Sequence, residues 1–184
     1  MLNKLVLITV TLFLSACASS PYTYDVEPTP IKKGETQYLL GEVTVKLTLG
    51  QGASDDESTF VSEAELNQQF VKSLQQHLTE NNLLATDDSV DSIKMNVEIA
   101  YLRTFNHGGK ALNKPQISHT VTIDGQHGQL ATFGKSNYTT KYGGFKDAAV
   151  NLEISMFNWD AEDEPKDVDL ISRLIVEELS GLGK

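Results

Sequence analysis

An alternating segment in the middle of the chain constrains the fold more than any other feature. Its apolar residues occupy every second position and its polar residues lie between them: Ile93, Met95, Val97, Ile99 and Tyr101 alternate with Lys94, Asn96 and Glu98. Successive side chains of a strand point to opposite faces, so the pattern predicts a strand with one buried and one solvent-facing side. A sheet made of such strands needs a second layer to cover its apolar face.

Further segments carry the same two-residue period. Residues 41–50 alternate, with Val43, Val45, Leu47 and Leu49 on one side. Ile117, His119, Val121 and Ile123 share one face of another strand, and Asp124-Gly125 then opens a turn. Residues 130–133 and 136–142 are predicted to form the returning strand or strands.

Three segments are candidates for helices. Ser62 and Glu65 form a capping box, which predicts a helix from Glu63 to Glu80. A last helix is predicted from about Val168 to Leu179, after an acidic loop at residues 160–169. Residues 145–159 are ambiguous: Ala149, Leu152 and Met156 fit a helix face, whereas Val150, Leu152, Ile154 and Met156 fit a strand. Their length and alanine content favour a helix.

This order of elements predicts an α+β fold. We expect a two-layer sandwich, with a mainly antiparallel sheet of four to five strands and two to three helices on one face. The expected single domain covers residues 38–184.

The chain begins with a pattern that is typical of a secretory signal. Lys4 is followed by an apolar run, and small residues precede Cys17, the only cysteine of the chain. Leu14-Ser15-Ala16-Cys17 resembles the lipobox of bacterial lipoproteins. This resemblance implies cleavage after residue 16 and acylation of Cys17, and Ala18 after it implies the outer membrane, facing the periplasm. The alternatives are a transmembrane helix, for which the ten-residue apolar run is short, and an ordinary thiol.

The residues that follow Cys17 differ in composition from the predicted domain. Residues 17–37 are rich in proline and are predicted to form the lipidated cysteine and a flexible tether, although Tyr22 and Tyr24 could instead lie against the domain. Without the signal, the chain has 14 basic and 25 acidic residues, a net charge of −11. Such a charge argues against nucleic acid as a partner, and it means that lipid rather than a basic patch must hold the protein to a membrane.

The layout resembles that of small envelope lipoproteins that serve as assembly proteins or as auxiliary proteins of lipid transporters. The shared features are the lipobox, a proline-rich tether, a strand, a helix with Phe70, Leu74 and Leu78 at four-residue spacing, the strand at residues 93–101 and a final amphipathic helix. This resemblance is one of element order only, so it assigns no functional residue.

The sequence contains no recognisable catalytic or metal-binding motif. Its four histidines, His77, His107, His119 and His127, lack the spacing of a zinc site, and the acidic stretch at 160–169 lacks the ligand order of an EF-hand. We therefore predict no catalytic residue, no metal and no cofactor. His119, on an apolar strand face, is expected to be a hydrogen-bonded structural residue.

Two acid-free segments are candidate binding surfaces. Residues 103–115 carry Arg103, His107, Lys110 and Lys114, and residues 135–145 combine lysines with Tyr138 and Tyr142. Aromatic and basic side chains are common in recognition surfaces. The alternative is a plain meander in which the two tyrosines pack inward and the glycines form turns.

These observations support three functional hypotheses. The first is a non-enzymatic lipoprotein that binds or assembles with an envelope protein or glycan. The second is a carrier of a small molecule or lipid in a cavity between sheet and helices. The third is a periplasmic hydrolase without a recognisable motif.

Overall fold

The computed structural model describes residues 20–53, 59–86, 93–106 and 111–184. The predicted signal, Cys17, His107 and Lys110 lie outside these ranges. The elements along the chain are β1 (Thr23–Tyr24), β2 (Leu39–Leu49), α1 (Glu63–Glu80), β3 (Lys94–Arg103), β4 (Phe105–Asn106), β5 (Ala111–Leu112), β6 (Gln116–Gly125), β7 (Gly128–Thr139), α2 (Gly144–Ser155) and α3 (Glu164–Ser180).

Five strands form one sheet in the order β1-β7-β6-β3-β2, and β4 pairs with β5 as a separate two-stranded ribbon. Only the β2–β3 pair of the large sheet is parallel. The predicted α+β class and mainly antiparallel sheet are confirmed. The returning strand, predicted in one or two pieces, is the single strand β7, whose pairing with β6 shifts register between Ile117 and His119.

The alternating strands bury one face against α1 and α3. The main core combines side chains of β3 and β6 with those of the two helices, among them Val97, Val121, Phe70, Leu74, Ile171 and Ile175. On the other face of the sheet, Thr44, Glu98, Ala100 and Thr120 are exposed. The two-residue period therefore reflects one buried and one exposed face of the sheet, as the sequence predicts.

Helix α1 also protects the edge of the sheet at β2. The Asn67 side chain accepts a hydrogen bond from the Val45 N–H at 3.0 Å, and the Glu63 carboxylate accepts one from the Leu47 N–H at 2.8 Å. Unpaired N–H groups at a sheet edge can pair with the strands of other chains. Here the two α1 side chains accept hydrogen bonds from the Val45 and Leu47 N–H groups, which are therefore not available for such pairing.

The segment before β2 packs on the domain. Strand β1 pairs with β7, and the Tyr22 hydroxyl donates a hydrogen bond to the Glu178 carbonyl oxygen at 2.8 Å. Ile31 is buried, and Lys184 at the other end of the chain forms an ion pair with Glu27 at 2.7 Å. The packed domain thus begins near residue 20 rather than at residue 38, and Tyr22 and Tyr24 lie against it.

The helices match the predictions except at one end of α2 and at the start of α3. Helix α1 has the predicted bounds and capping box, and the helix favoured for residues 145–159 forms but ends at Ser155. Helix α3 begins at Glu164, one turn earlier than predicted, with Pro165 in its first turn. Proline is well tolerated there because the first helical N–H groups lack intrahelical partners. The predicted loop at 160–169 is therefore wrong from Glu164 onward.

We expect Val97→Asp to lower the free energy of unfolding by about 3–5 kcal/mol, because Val97 is 1% exposed and belongs to the apolar core cluster, where the new carboxylate would be buried. Ala100→Asp, on the exposed face of the same strand, is the matched control. Thermal melting of both variants measures the difference. Equal melting temperatures would show that the strand faces are misassigned.

Candidate functional site

Helix α2 presents an apolar stripe to solvent. Of the six large apolar side chains that the described residues expose, four lie in α2 or directly after it. Phe145 is 96% exposed, and Leu152 and Met156 are each 58% exposed. With Ala149, these residues lie on one side of the helix, and we call the four residues the α2 stripe. Contiguous exposed apolar surface is a common feature of interaction sites, so the α2 stripe is a candidate binding surface.

The opposite side of α2 is held by a second apolar cluster. Val150 is buried in it and Ile154 packs against it. The other buried members are Phe105 of β4, Leu112 of β5, Phe60 before α1 and Trp159 between α2 and α3. The helix is therefore apolar on two sides, and only one of them is covered.

Asp167, in the first turn of α3, forms hydrogen bonds with residues on both sides of α2. Its carboxylate accepts hydrogen bonds from the Tyr142 hydroxyl at 2.7 Å, before α2, and from the Trp159 indole N–H at 3.2 Å, after α2. The Thr140 hydroxyl donates a third bond at 2.7 Å. Burial raises the pKa of Asp167, although these three donors oppose the shift.

A buried ion pair lies one turn away on the same helix. Arg103, the last residue of β3, binds Glu164 through two parallel hydrogen bonds of 2.7 and 2.9 Å, and both side chains are almost fully buried. Arg103 also donates to the Val61 carbonyl oxygen at 2.9 Å. Burial raises the pKa of Glu164, and the Arg103 guanidinium opposes that shift. Removing either partner would leave an uncompensated buried charge.

Lys114 and Asp147 join the chain before β6 to the first turn of α2. The ammonium donates to the carboxylate at 2.7 Å, and the Tyr142 N–H donates to the same oxygen at 3.0 Å. These bonds hold the pKa of Asp147 below its usual range, with the Lys114 hydrogen bond as the main cause. The Lys114 side chain is only 14% exposed, so its charge is engaged within the domain.

Tyr138 belongs to an internal chain of hydrogen bonds. Its hydroxyl lies 2.8 Å from His119 Nδ1, and His119 Nε2 lies 3.1 Å from the Glu178 carboxylate. His119 is buried and hydrogen-bonded, as the strand pattern predicts. Burial raises the pKa of Tyr138, so its hydroxyl stays protonated.

The structure thus separates the predicted binding residues into two groups. Arg103, Lys114, Tyr138 and Tyr142 all have internal partners, whereas the positions of His107 and Lys110 lie outside the described residues. The exposed cations of the second segment are Lys135 and Lys141, and Lys146 follows in α2. We call residues 135–146 the basic segment.

The basic segment borders a shallow depression of about 380 Å³ at the junction of α2 and α3. Tyr142, Lys146, Lys166 and Arg173 line it, together with one carboxylate, Asp169. The Lys146 ammonium lies 5.5 Å from the Tyr142 ring centre, and the Lys135 ammonium lies 5.2 Å from that of Tyr138. Each of these two tyrosine rings therefore has a lysine ammonium beside it.

Two further observations concern the described residues as a whole. Within these ranges, no three His, Cys, Asp or Glu side chains converge closely enough to hold a metal ion. None of the helices in the described part of the chain combines the length and the apolar character needed to cross a bilayer.

Comparisons with known proteins give only distant matches. No protein family matches the chain, and neither does any curated protein. A minor lipoprotein from Acinetobacter baumannii of known structure is 15% identical, with a TM-score of 0.33, and the match covers 76% of this chain and 91% of that one. A second solved structure, of an uncharacterized protein, is 16% identical with a TM-score of 0.25, over 77% of this chain and 99% of that one. Neither match is close enough to assign a function to this chain.

Sequence reasoning missed the α2 stripe as a surface. The spacing of Ala149, Leu152 and Met156 was visible as a helix face. An apolar helix face normally packs on a core, so spacing alone assigns it to the interior. The available signal was that Val150 and Ile154 form a second apolar side, which a single core contact cannot accommodate.

We expect Asp167→Ala to lower the free energy of unfolding by about 2–4 kcal/mol, because it leaves buried donors without an acceptor. Asp167→Asn keeps one acceptor oxygen, so its loss should be smaller. Glu162→Ala, exposed in the same acidic stretch, should change stability by less than about 0.5 kcal/mol.

Urea unfolding followed by the fluorescence of Trp159, the only tryptophan, measures the three variants. If Asp167→Ala and Glu162→Ala unfold at the same urea concentration, Asp167 does not anchor α2.

Proposed function

We propose that this chain is a lipid-anchored envelope lipoprotein that acts as a non-enzymatic binding partner at the periplasmic side of the outer membrane. The observation that supports it is the short distance between two features of the N-terminal segment. The lipobox ends at Cys17, and the described chain already contacts the domain at Tyr22 and pairs in β1 at Thr23.

The spacing limits how far the domain stands from the membrane. Tyr22 is five positions after Cys17, so at full extension the two Cα atoms are at most about 17 Å apart. Several acyl chains at Cys17 would anchor the protein stably, whereas a single chain would not. In this proposal the domain is held close to the bilayer surface instead of at the end of a long tether.

The binding surface in this proposal is the basic segment. Its exposed lysines stand out on a chain with a net charge of −10, so an anionic partner would be attracted locally and repelled elsewhere. An acidic protein surface and an anionic glycan share this chemistry. The carrier hypothesis has less support, because the layer between the sheet and helices α1 and α3 is filled by buried side chains.

Cys17→Ser should abolish incorporation of labelled fatty acid and release the protein from the membrane fraction. The thiol is the acceptor of the lipid, and Lys4 with the apolar run would still direct export. Metabolic labelling and fractionation of cells measure both effects. Full labelling of the variant would remove the basis for an anchor at Cys17.

The double variant Lys135→Glu with Lys141→Glu should reduce capture of the partner at least tenfold, because it reverses two exposed charges of the basic segment. Chemical crosslinking in intact cells, followed by protein and glycan identification, measures capture. Lys114 is unsuitable for this test, since its reversal would place a carboxylate beside Asp147.

The control is Lys46→Glu with Lys72→Glu, which reverses two exposed lysines on the outer sheet face and on α1. Both double variants should melt within about two degrees of the parent protein, as exposed substitutions usually do. Equal capture by the two double variants would show that the basic segment is not the interface.

A further inference from the structure

The α2 stripe has a spacing that is the same when read in either direction. Its residues are Phe145, Ala149, Leu152 and Met156, separated by four, three and four positions. Reversing the helix about its midpoint therefore exchanges Phe145 with Met156 and Ala149 with Leu152. A large residue meets a large one at each end, and a small one meets a large one at the centre.

We propose that the α2 stripe binds the same stripe of a second copy of this chain, with the two helices antiparallel around a two-fold axis. Phe145 then packs on Met156 of the second copy, and Ala149 leaves room for Leu152 of the second copy. Such an isologous contact covers both stripes at once, as expected for a symmetric dimer.

The charges beside the stripe fit the same arrangement. Lys146 and Glu153 are seven residues apart, so they lie on the same flank of α2. An antiparallel two-fold contact brings equal flanks together and places Lys146 within about 3 Å, along the helix axis, of the second copy's Glu153. This pairing occurs twice in the dimer and is attractive both times. In a parallel two-fold pair opposite flanks meet, so the Lys146–Glu153 pairing would not form.

The charges also favour a second copy over a lipid surface. Glu153 lies beside the stripe, and Asp160, Glu162 and Asp163 follow α2. Anionic headgroups would repel these side chains. A basic amphipathic helix, which suits such a surface, would carry cations along the whole polar flank.

A contact between two short helices is small. It buries less than the roughly 1,200 Å² that typical stable interfaces bury, so we expect weak association in dilute solution. If both copies are anchored in one membrane, as in the proposed function, this confinement raises their effective concentration. This step rests on the proposed function. A two-fold axis along the membrane normal also keeps both N-termini on the same side.

Cysteine crosslinking of the full chain in cells tests the register. Two differently tagged copies are co-expressed, one with Phe145→Cys and one with Met156→Cys, and are treated with a thiol crosslinker that spans one residue-to-residue contact. These positions face each other in the proposed dimer. In a dimer of two Phe145→Cys copies, the two introduced cysteines would instead lie about 16 Å apart along the helix axis, and the same holds for two Met156→Cys copies. We expect the mixed pair to crosslink at least tenfold more than either variant with itself.

Charge and stripe variants in the same crosslinking pair test the chemistry. Lys146→Glu alone or Glu153→Lys alone should lower the yield at least threefold, and the two together should restore it, because the swap preserves the pairing. Leu152→Glu should abolish crosslinking, whereas Leu49→Glu, at another exposed leucine in β2, should leave it unchanged.

Three outcomes would overturn the proposal: no crosslinking of the mixed pair, equal crosslinking of Phe145→Cys with itself, or no rescue by the charge swap. A fourth such outcome is that the stripe crosslinks only to other proteins. Fatty-acid labelling of the same cells is read separately, so labelled protein without the crosslink rejects the dimer and leaves the lipid anchor standing.

Discussion

The carboxylate of Asp167 determines how the second half of the molecule is arranged. It lies in the first turn of α3, which packs on the sheet, and it binds Tyr142 and Trp159 on the two sides of α2. Burying a carboxylate is costly unless donors surround it, and three donors do so here. The same turn receives Arg103 from the end of β3 through Glu164. The sheet, α3 and α2 therefore meet at two buried acidic side chains.

This arrangement separates the N-terminal segment from α2 along the length of α3. Tyr22, close to the predicted lipid anchor, contacts the last turn of α3 at Glu178, whereas Asp167 and α2 lie at the first turn. The two contacts are about 16 Å apart along the helix. In the proposed function the N-terminal end faces the bilayer, and the basic segment and the α2 stripe remain accessible to partners beside or above the anchor. Helix α3 is the rigid connection between them.

The accuracy of the predictions follows the range of the interactions behind them. Helix α1 and the strand at residues 93–101 depend on local capping and on alternation, and both were predicted closely. The sequence predicts a loop where α3 begins, because Glu164 and Asp167 have the appearance of solvated acidic residues. Only the fold places Arg103 beside Glu164 and Tyr142 beside Asp167. The packing of Tyr22 on Glu178 joins residues 156 positions apart, so the sequence left it open.

By itself the sequence determined which residues alternate and where α1 is capped, and it predicted an export signal that ends at the single cysteine, because each of these is a pattern among neighbours. Only the tertiary structure decided which charges are free and which apolar face is covered. Val150 and Met156 lie on the same helix and are both apolar, yet one is buried and the other is exposed. That difference depends on Asp167 holding both flanks of α2 against the second cluster, a long-range contact that no local pattern specifies.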